Sequence, residues 1–238
     1  MAYGMRRKTD MFLDDVKTAT KTLVLVPTAR EMESLDQLGG LPGELAVSAV
    51  CGFGVVSAAA RSSQLLSALR PRRVLLVGIA GTFDEKVASI GSAVEFSTVV
   101  VDGIGAGEGE GFVGPQAMGF PQWPGVEASG APSIFHRIDL ASSGADAMLL
   151  TGCAASGDAA HAATRRQRFP EARAEDMEGF AVAMACALHS CPVRIVRGIA
   201  NVAGDRDSSH WRILQALAAA REMAMKIIES GNEWESHR

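Results

Sequence analysis

The 238-residue chain has no run of basic side chains longer than three, and acidic residues outnumber basic ones by 27 to 23, giving a formal net charge of −4. Nucleic-acid binding needs a basic stripe, so DNA or RNA is not expected as a partner. Long apolar runs are also missing. None approaches the roughly 20 residues needed to cross a bilayer, so no membrane partner is expected. The first 21 residues are basic in part, but Asp10, Asp14 and Asp15 interrupt any apolar stretch, so no signal peptide is expected. Cysteine is scarce: Cys51, Cys153, Cys186 and Cys191 stand apart with no Cys-x-x-Cys pair, and the five histidines are dispersed. The cysteines read as small buried apolar residues in a reducing compartment, and a zinc site is not expected. These absences describe a cytoplasmic protein with no metal.

What is present suits one sizeable core. Hydrophobic residues make up 47% and charged residues 21% of the chain. At this length an α/β chain is often one domain. The reading is a 1–20 N-terminal extension followed by one domain over 21–238. Short apolar runs at 23–26, 46–50, 74–77, 93–101, 148–151 and 193–196 have the length of buried strands. Helical composition and spacing fall at 28–37, 55–70, 158–168, 178–189 and 211–228. Strands alternating with helices predict a three-layer α/β fold, a twisted, mostly parallel sheet covered on both faces. Residues 102–133 hold many glycines and little periodicity, and so read as either a functional lid or a disordered stretch.

Four constellations could carry chemistry. Gly52-Phe53-Gly54 precedes a helix, but Ser57 takes the third glycine place and no acidic residue ends the next strand. A tight turn needing glycine explains it better than dinucleotide binding. Gly78-Ile79-Ala80-Gly81 follows a buried strand. It reads either as close strand packing or as a place where a ligand approaches backbone. Asp176-Met177-Glu178-Gly179 opens an Ala-rich helix. A carboxylate there is either a partner of the helix dipole or an acceptor for two vicinal hydroxyls. Val196 to Asp207 runs from a buried strand into a polar loop. Asn201 there could be a turn residue, and Asp205, Arg206 and Asp207 a surface ion-pair cluster.

Taken in order, Glu31 within Val26-Pro27-Thr28-Ala29-Arg30-Glu31, the Gly78–Gly81 segment, Met177-Glu178 and Arg197 through Asn201 resemble the purine nucleoside phosphorylase and nucleosidase superfamily. Within it the chain is most similar to the futalosine hydrolase family of menaquinone biosynthesis. That likeness rests on the Gly-rich stretch from Asp102 to Phe112, Glu175 through Gly179, Asn201 where adenine-cleaving relatives carry Asp, and Gly204 to Asp207 followed by Trp211. The resemblance implies hydrolysis of an N-ribosidic bond with release of hypoxanthine, no cofactor, a small purine nucleoside as partner, and a homo-oligomer of two or more copies. It implies Glu31 as general base toward water. Asn201 would donate a hydrogen bond to the departing purine and favour a 6-oxopurine. Glu178 would grip the ribose hydroxyls, with Met177 packed on the sugar and Ala80 and Gly81 lining the pocket. The loop 102–133 would shape the site around the 5′ substituent. Since Ala159, Ala160 and His161 follow Ser156-Gly157-Asp158, either Phe112 or Phe120 would stack on the base or apolar side chains would mainly hold it. Arg30 could instead recognise an anion. Alternatives are a methylthioadenosine/S-adenosylhomocysteine-type nucleosidase, a purine nucleoside phosphorylase, or a purine-binding domain without catalysis.

Overall fold

A computed structural model describes residues 22–126, 132–142, 146–230 and Trp234. The extension expected over 1–20 lies outside the described residues. The chain order is β1 (Thr22–Val26), α1 (Ala29–Gln37), β2 (Ala46–Val50), α2 (Gly54–Leu69), β3 (Arg73–Thr82), β4 (Ala93–Phe96), β5 (Thr98–Val101), α3 (Pro115–Met118), β6 (Arg137–Asp139), β7 (Met148–Thr151), α4 (Ala159–Arg168), β8 (Ala172–Asp176), α5 (Gly179–Leu188), β9 (Val193–Val202) and α6 (Ile213–Glu229). The sheet runs β2-β1-β3-β8-β7-β5-β6, with β9 paired to β3 and β4. Strands β1/β2, β1/β3, β3/β9, β5/β7 and β7/β8 pair in parallel, and β3/β8, β4/β9 and β5/β6 antiparallel. The expected α/β sandwich with a mostly parallel sheet is what forms.

Period-two alternation divides the core. Leu23, Leu25, Val74, Leu76, Val193 and Ile195 face the side packed by α2 and α5. Val24, Val26, Leu75, Val77 and Val196 face α1 and α6, meeting Leu35, Leu217, Ala220 and Ala224. These strands are mostly apolar on both faces because both faces are covered, with Arg194 and Arg197 the charged exceptions inside β9.

Three expected boundaries change. The strand foreseen at 74–77 runs on to Thr82, so the Gly78–Gly81 segment is strand and not a closing turn. The last strand likewise extends to Val202. The single run 93–101 is two strands. β4 pairs with β9, while β5 pairs with β6 and β7, and the change falls at Ser97, whose N–H donates to the Ala147 carbonyl at 2.9 Å.

One sheet edge positions the site. Strand β1 pairs with β3 only from Arg73 to Leu76, and β8 only at Gly81 and Thr82. Pro27 ends β1 and has no N–H for the ladder. Residues 77–80 of β3 are therefore left without a strand partner on that edge, at a switch point where ligands enter α/β sheets. On the other edge a bulge sets Ala80 opposite Ile199 and Gly81 opposite Asn201. The extra residue re-aims the end of β9.

Candidate active site

The gap opens into a cavity of about 420 Å³ whose wall includes Glu31, Ala80, Gly81, Met177, Glu178 and Asn201. That volume falls in the small-molecule range. All six expected site residues thus meet in one place. The cavity's other residues come from the starts of α1 and α6, from the ends of β3 and β8, and from the turns after β1, β2, β7 and β9.

Glu31 is 7% exposed and forms one half of a capping box. Its Oε2 accepts from Thr28 N–H at 3.1 Å and Thr28 Oγ1 at 2.6 Å, while Thr28 Oγ1 accepts from Glu31 N–H at 3.2 Å. Its Oε1 accepts from the otherwise unladdered Ile79 N–H at 3.1 Å. A carboxylate has about four lone-pair sites. Three are occupied, which leaves one on Oε1.

Arg197 is fully buried on the strand face shared with Ile195 and Ile199. Its Nε and Nη2 donate to Asp176 Oδ2 at 3.1 and 2.6 Å, and Nη2 reaches Glu178 Oε2 at 3.4 Å. Asp176 also accepts from Thr151 Oγ1 at 2.6 Å and from Gly179 N–H at 2.8 Å, so it orients Arg197 and caps α5 together. Among the described residues Arg197 Nη1 has no hydrogen-bond partner. Burial opposes its charge, but Asp176, Glu178 and Glu31 together hold its pKa above the usual value. A Cβ on Gly78 would strike Nη1 and would stand 2.9 Å from Glu31 Oε1. The glycine thus lets β3 lie directly against the guanidinium, Pro27 and the Glu31 carboxylate.

Glu178 Oε1 accepts from Gly54 N–H at 2.9 Å. This explains the glycine pair after β2. Gly52, at φ +100°, turns the chain so that Gly54 offers its N–H to the site. Burial lifts the Glu178 pKa to about 7, with Arg197 opposing the rise and Asp176 adding to it.

Asn201 does not offer its amide donor to the cavity. Nδ2 donates to the carbonyls of Val202 at 2.8 Å and Asp205 at 3.3 Å. Two carbonyls demand the NH₂, so Oδ1 is what the residue can turn to a ligand. The 6-oxopurine preference argued from that donor therefore loses its basis in this residue.

The stacking candidates are also different. Phe112 lies under the Arg168 guanidinium, 4.7 Å to the ring centroid, and Phe120 is exposed; neither lines the cavity. No described residue of 102–133 does either. Phe53 and Trp211 are the aromatic rings in the wall. Asp158 is the N-cap of α4, accepting from His161 N–H at 2.8 Å, so the segment after it is helix and Ala155 faces the cavity instead. Residue-by-residue reading assigned no role to Thr28, Gly54, Asp176 or Arg197. Arg197 had a signal: an arginine inside an apolar strand must be buried with partners.

Among the described residues no cluster of three or more His, Cys, Asp or Glu could hold a metal, and no helix is long and apolar enough to cross a membrane. The chain is 36% identical over 165 residues to futalosine hydrolase of Streptomyces coelicolor, covering 69% of this chain and 68% of that one. It is 30% identical over 198 residues to 5′-methylthioadenosine/S-adenosylhomocysteine nucleosidase of Chromohalobacter salexigens, covering 79% and 80%. Its fold matches the adenine complex of the Colwellia psychrerythraea nucleosidase of that type at a TM-score of 0.70 and 18% identity, covering 91% and 98%. It matches native futalosine hydrolase of Helicobacter pylori at 0.68 and 16%, covering 89% and 98%. The phosphorylase superfamily model spans residues 13–230, which takes in every strand and all the carboxylates of the cavity, and the chain belongs to that superfamily.

Proposed function

We propose that this chain hydrolyses the N-ribosidic bond of futalosine, releasing hypoxanthine, in menaquinone biosynthesis, with residues 21–238 as the catalytic domain. The reading draws on the futalosine hydrolase relatives. The observation that carries the chemistry is the meeting of the Glu31 and Glu178 carboxylates, the first with a free lone pair on Oε1, in the wall of one cavity. A water in the cavity donates to the free lone pair of Glu31 Oε1. Its oxygen forms the new bond to C1′, its proton passes to Glu31, and the C1′–N9 electron pair leaves with the base. Glu178 retains lone pairs for the 2′- and 3′-hydroxyls, and as an anion close to the sugar it favours the positive charge that develops there. N7 of the departing base takes a proton from a second cavity water, Glu31 returns its own proton to solvent, and Asn201 Oδ1 accepts the new N7–H. Met177, Ala80 and Gly81 line the sugar pocket.

A methylthioadenosine/S-adenosylhomocysteine-type nucleosidase is the second reading, favoured by the Chromohalobacter salexigens relative. Parallel incubation with futalosine, inosine and methylthioadenosine, with and without phosphate, separates the readings by the free base and the sugar product. Hypoxanthine released from futalosine without phosphate is expected. Sugar 1-phosphate as the main product, or a better rate on methylthioadenosine, overturns it. The same reading carries a cytoplasmic setting and a homo-oligomer, which sedimentation at assay concentration checks.

A further inference from the structure

Arg30 and Arg206 line the cavity as exposed side chains, whereas Glu31, Ala80, Asp176 and Glu178 are buried. The carboxylates thus form a floor and the arginines a rim. Among the described residues neither rim guanidinium has a carboxylate at ion-pair distance. The ion-pair cluster expected at 205–207 does not form around Arg206. Asp205 Oδ2 pairs with His210 Nδ1 at 2.8 Å, and Asp207 accepts from Ser209 N–H at 2.9 Å. Arg206 lies over the Trp211 ring instead, 5.0 Å to its centroid. Trp211 is itself held, its Nε1 donating to the Asp205 carbonyl at 3.1 Å. A stacked guanidinium keeps its N–H edge free and loses little on binding. Arg30 sits in the first turn of α1, where the helix dipole disfavours a cation and favours an anion. Ser34, one turn on, lines the same cavity.

With the ribose held on the floor by Glu178 and the base at Asn201, the 5′ substituent is the part of a nucleoside left to reach the rim. We propose that Arg30 and Arg206 form an anion subsite that binds a carboxylate carried on that substituent. The proposal rests on the nucleosidase reading and adds to it the residues that recognise the substrate's 5′ end. Two planar, permanently charged forks suit a carboxylate, and a neutral tail gives them nothing to bind.

The test uses two hypoxanthine nucleosides with the same 5′ chain, one ending in a carboxylate and the other in its primary amide. Wild-type kcat/KM is expected to favour the carboxylate by about tenfold or more, as for a charge-assisted hydrogen bond. The ratio should fall toward one in Arg30→Gln and in Arg206→Gln, with partial return in the lysine variants. A wild-type ratio near one, or a ratio that neither variant moves, overturns the proposal. So does inorganic phosphate that competes with the carboxylate compound and emerges as sugar 1-phosphate, because the arginines then serve phosphate. If no nucleoside is cleaved, the nucleosidase reading fails. Calorimetric binding of the same two compounds still reads the subsite, and equal affinities then overturn it.

Discussion

Replacing Glu178 by Gln removes a charge that the fold opposes. Its pKa rises from 4.5 to about 7, chiefly because burial takes the carboxylate out of water. The folded chain therefore holds a proton that the unfolded chain releases between pH 4.5 and about 7. Stability from this group is full below the lower value and is lost as pH rises through that window. Above about pH 7 the ionised carboxylate costs the fold about 3 kcal/mol, one pKa unit being worth about 1.4 kcal/mol. Gln keeps an oxygen for the Gly54 N–H, and Asp176 still binds Arg197. The Glu178→Gln variant should therefore be about 2–3 kcal/mol more stable than wild type near pH 8 and show no gain near pH 4.5. Its turnover of ribosides should nearly vanish, because an amide cannot accept from two hydroxyls as an anion does. Urea unfolding across that pH range at constant ionic strength reads the first effect, and base release reads the second. A variant less stable than wild type at alkaline pH would refute the reasoning, since Arg197 would then favour the ionised form more than burial opposes it. In the wild type, kcat/KM should fall below about pH 7 with the loss of one ionised group.

Glu31→Gln should lower kcat by about 10²- to 10⁴-fold, while stability stays within about 1 kcal/mol because Gln serves in a capping box; near-normal kcat in a folded sample counts against Glu31 as base. Gly78→Ala places a methyl group against Arg197 Nη1, Pro27 and Glu31, so activity should drop at least as far as in Glu31→Gln, with loss of stability as well, and full activity would show that the placement of Glu31 against β3 is not needed. Asn201→Asp sets a carboxylate oxygen against the Val202 and Asp205 carbonyls, at a cost of about 1–3 kcal/mol unless it is protonated. Thermal unfolding should show that loss at neutral pH and its recovery in acid, and a pH-independent Tm difference would contradict the amide orientation.

Several elements were readable because they depend on neighbours in the chain. The apolar runs ending at Val26 and Val50 and the helix over Ala159–Arg168 follow from local composition and spacing. So does the Thr28–Glu31 cap, whose three-residue spacing fits a capping box although no such role was drawn from it. The order of Glu31, Gly78–Gly81, Met177-Glu178 and Asn201 was enough to resemble a superfamily and to name residues that share one cavity.

What the sequence determined by itself was the alternation of buried strands and amphipathic helices, and the residue types available for acid–base work. Both are set by side-chain chemistry and by periods of two and about 3.6 residues. Tertiary structure decided where those groups point. Whether 93–101 was one strand or two depended on β9 and β7, strands far away in the chain. Which end of the Asn201 amide meets a ligand depended on a β-bulge and on two carbonyls of the following loop. That Arg197 joins Asp176 to Glu178 with Nη1 to spare, and that Phe53 and Trp211 replace Phe112 and Phe120 in the wall, depended on strand register and loop path. Register is settled by burial summed over the whole sheet, and a shift of one residue turns every side chain to the other face.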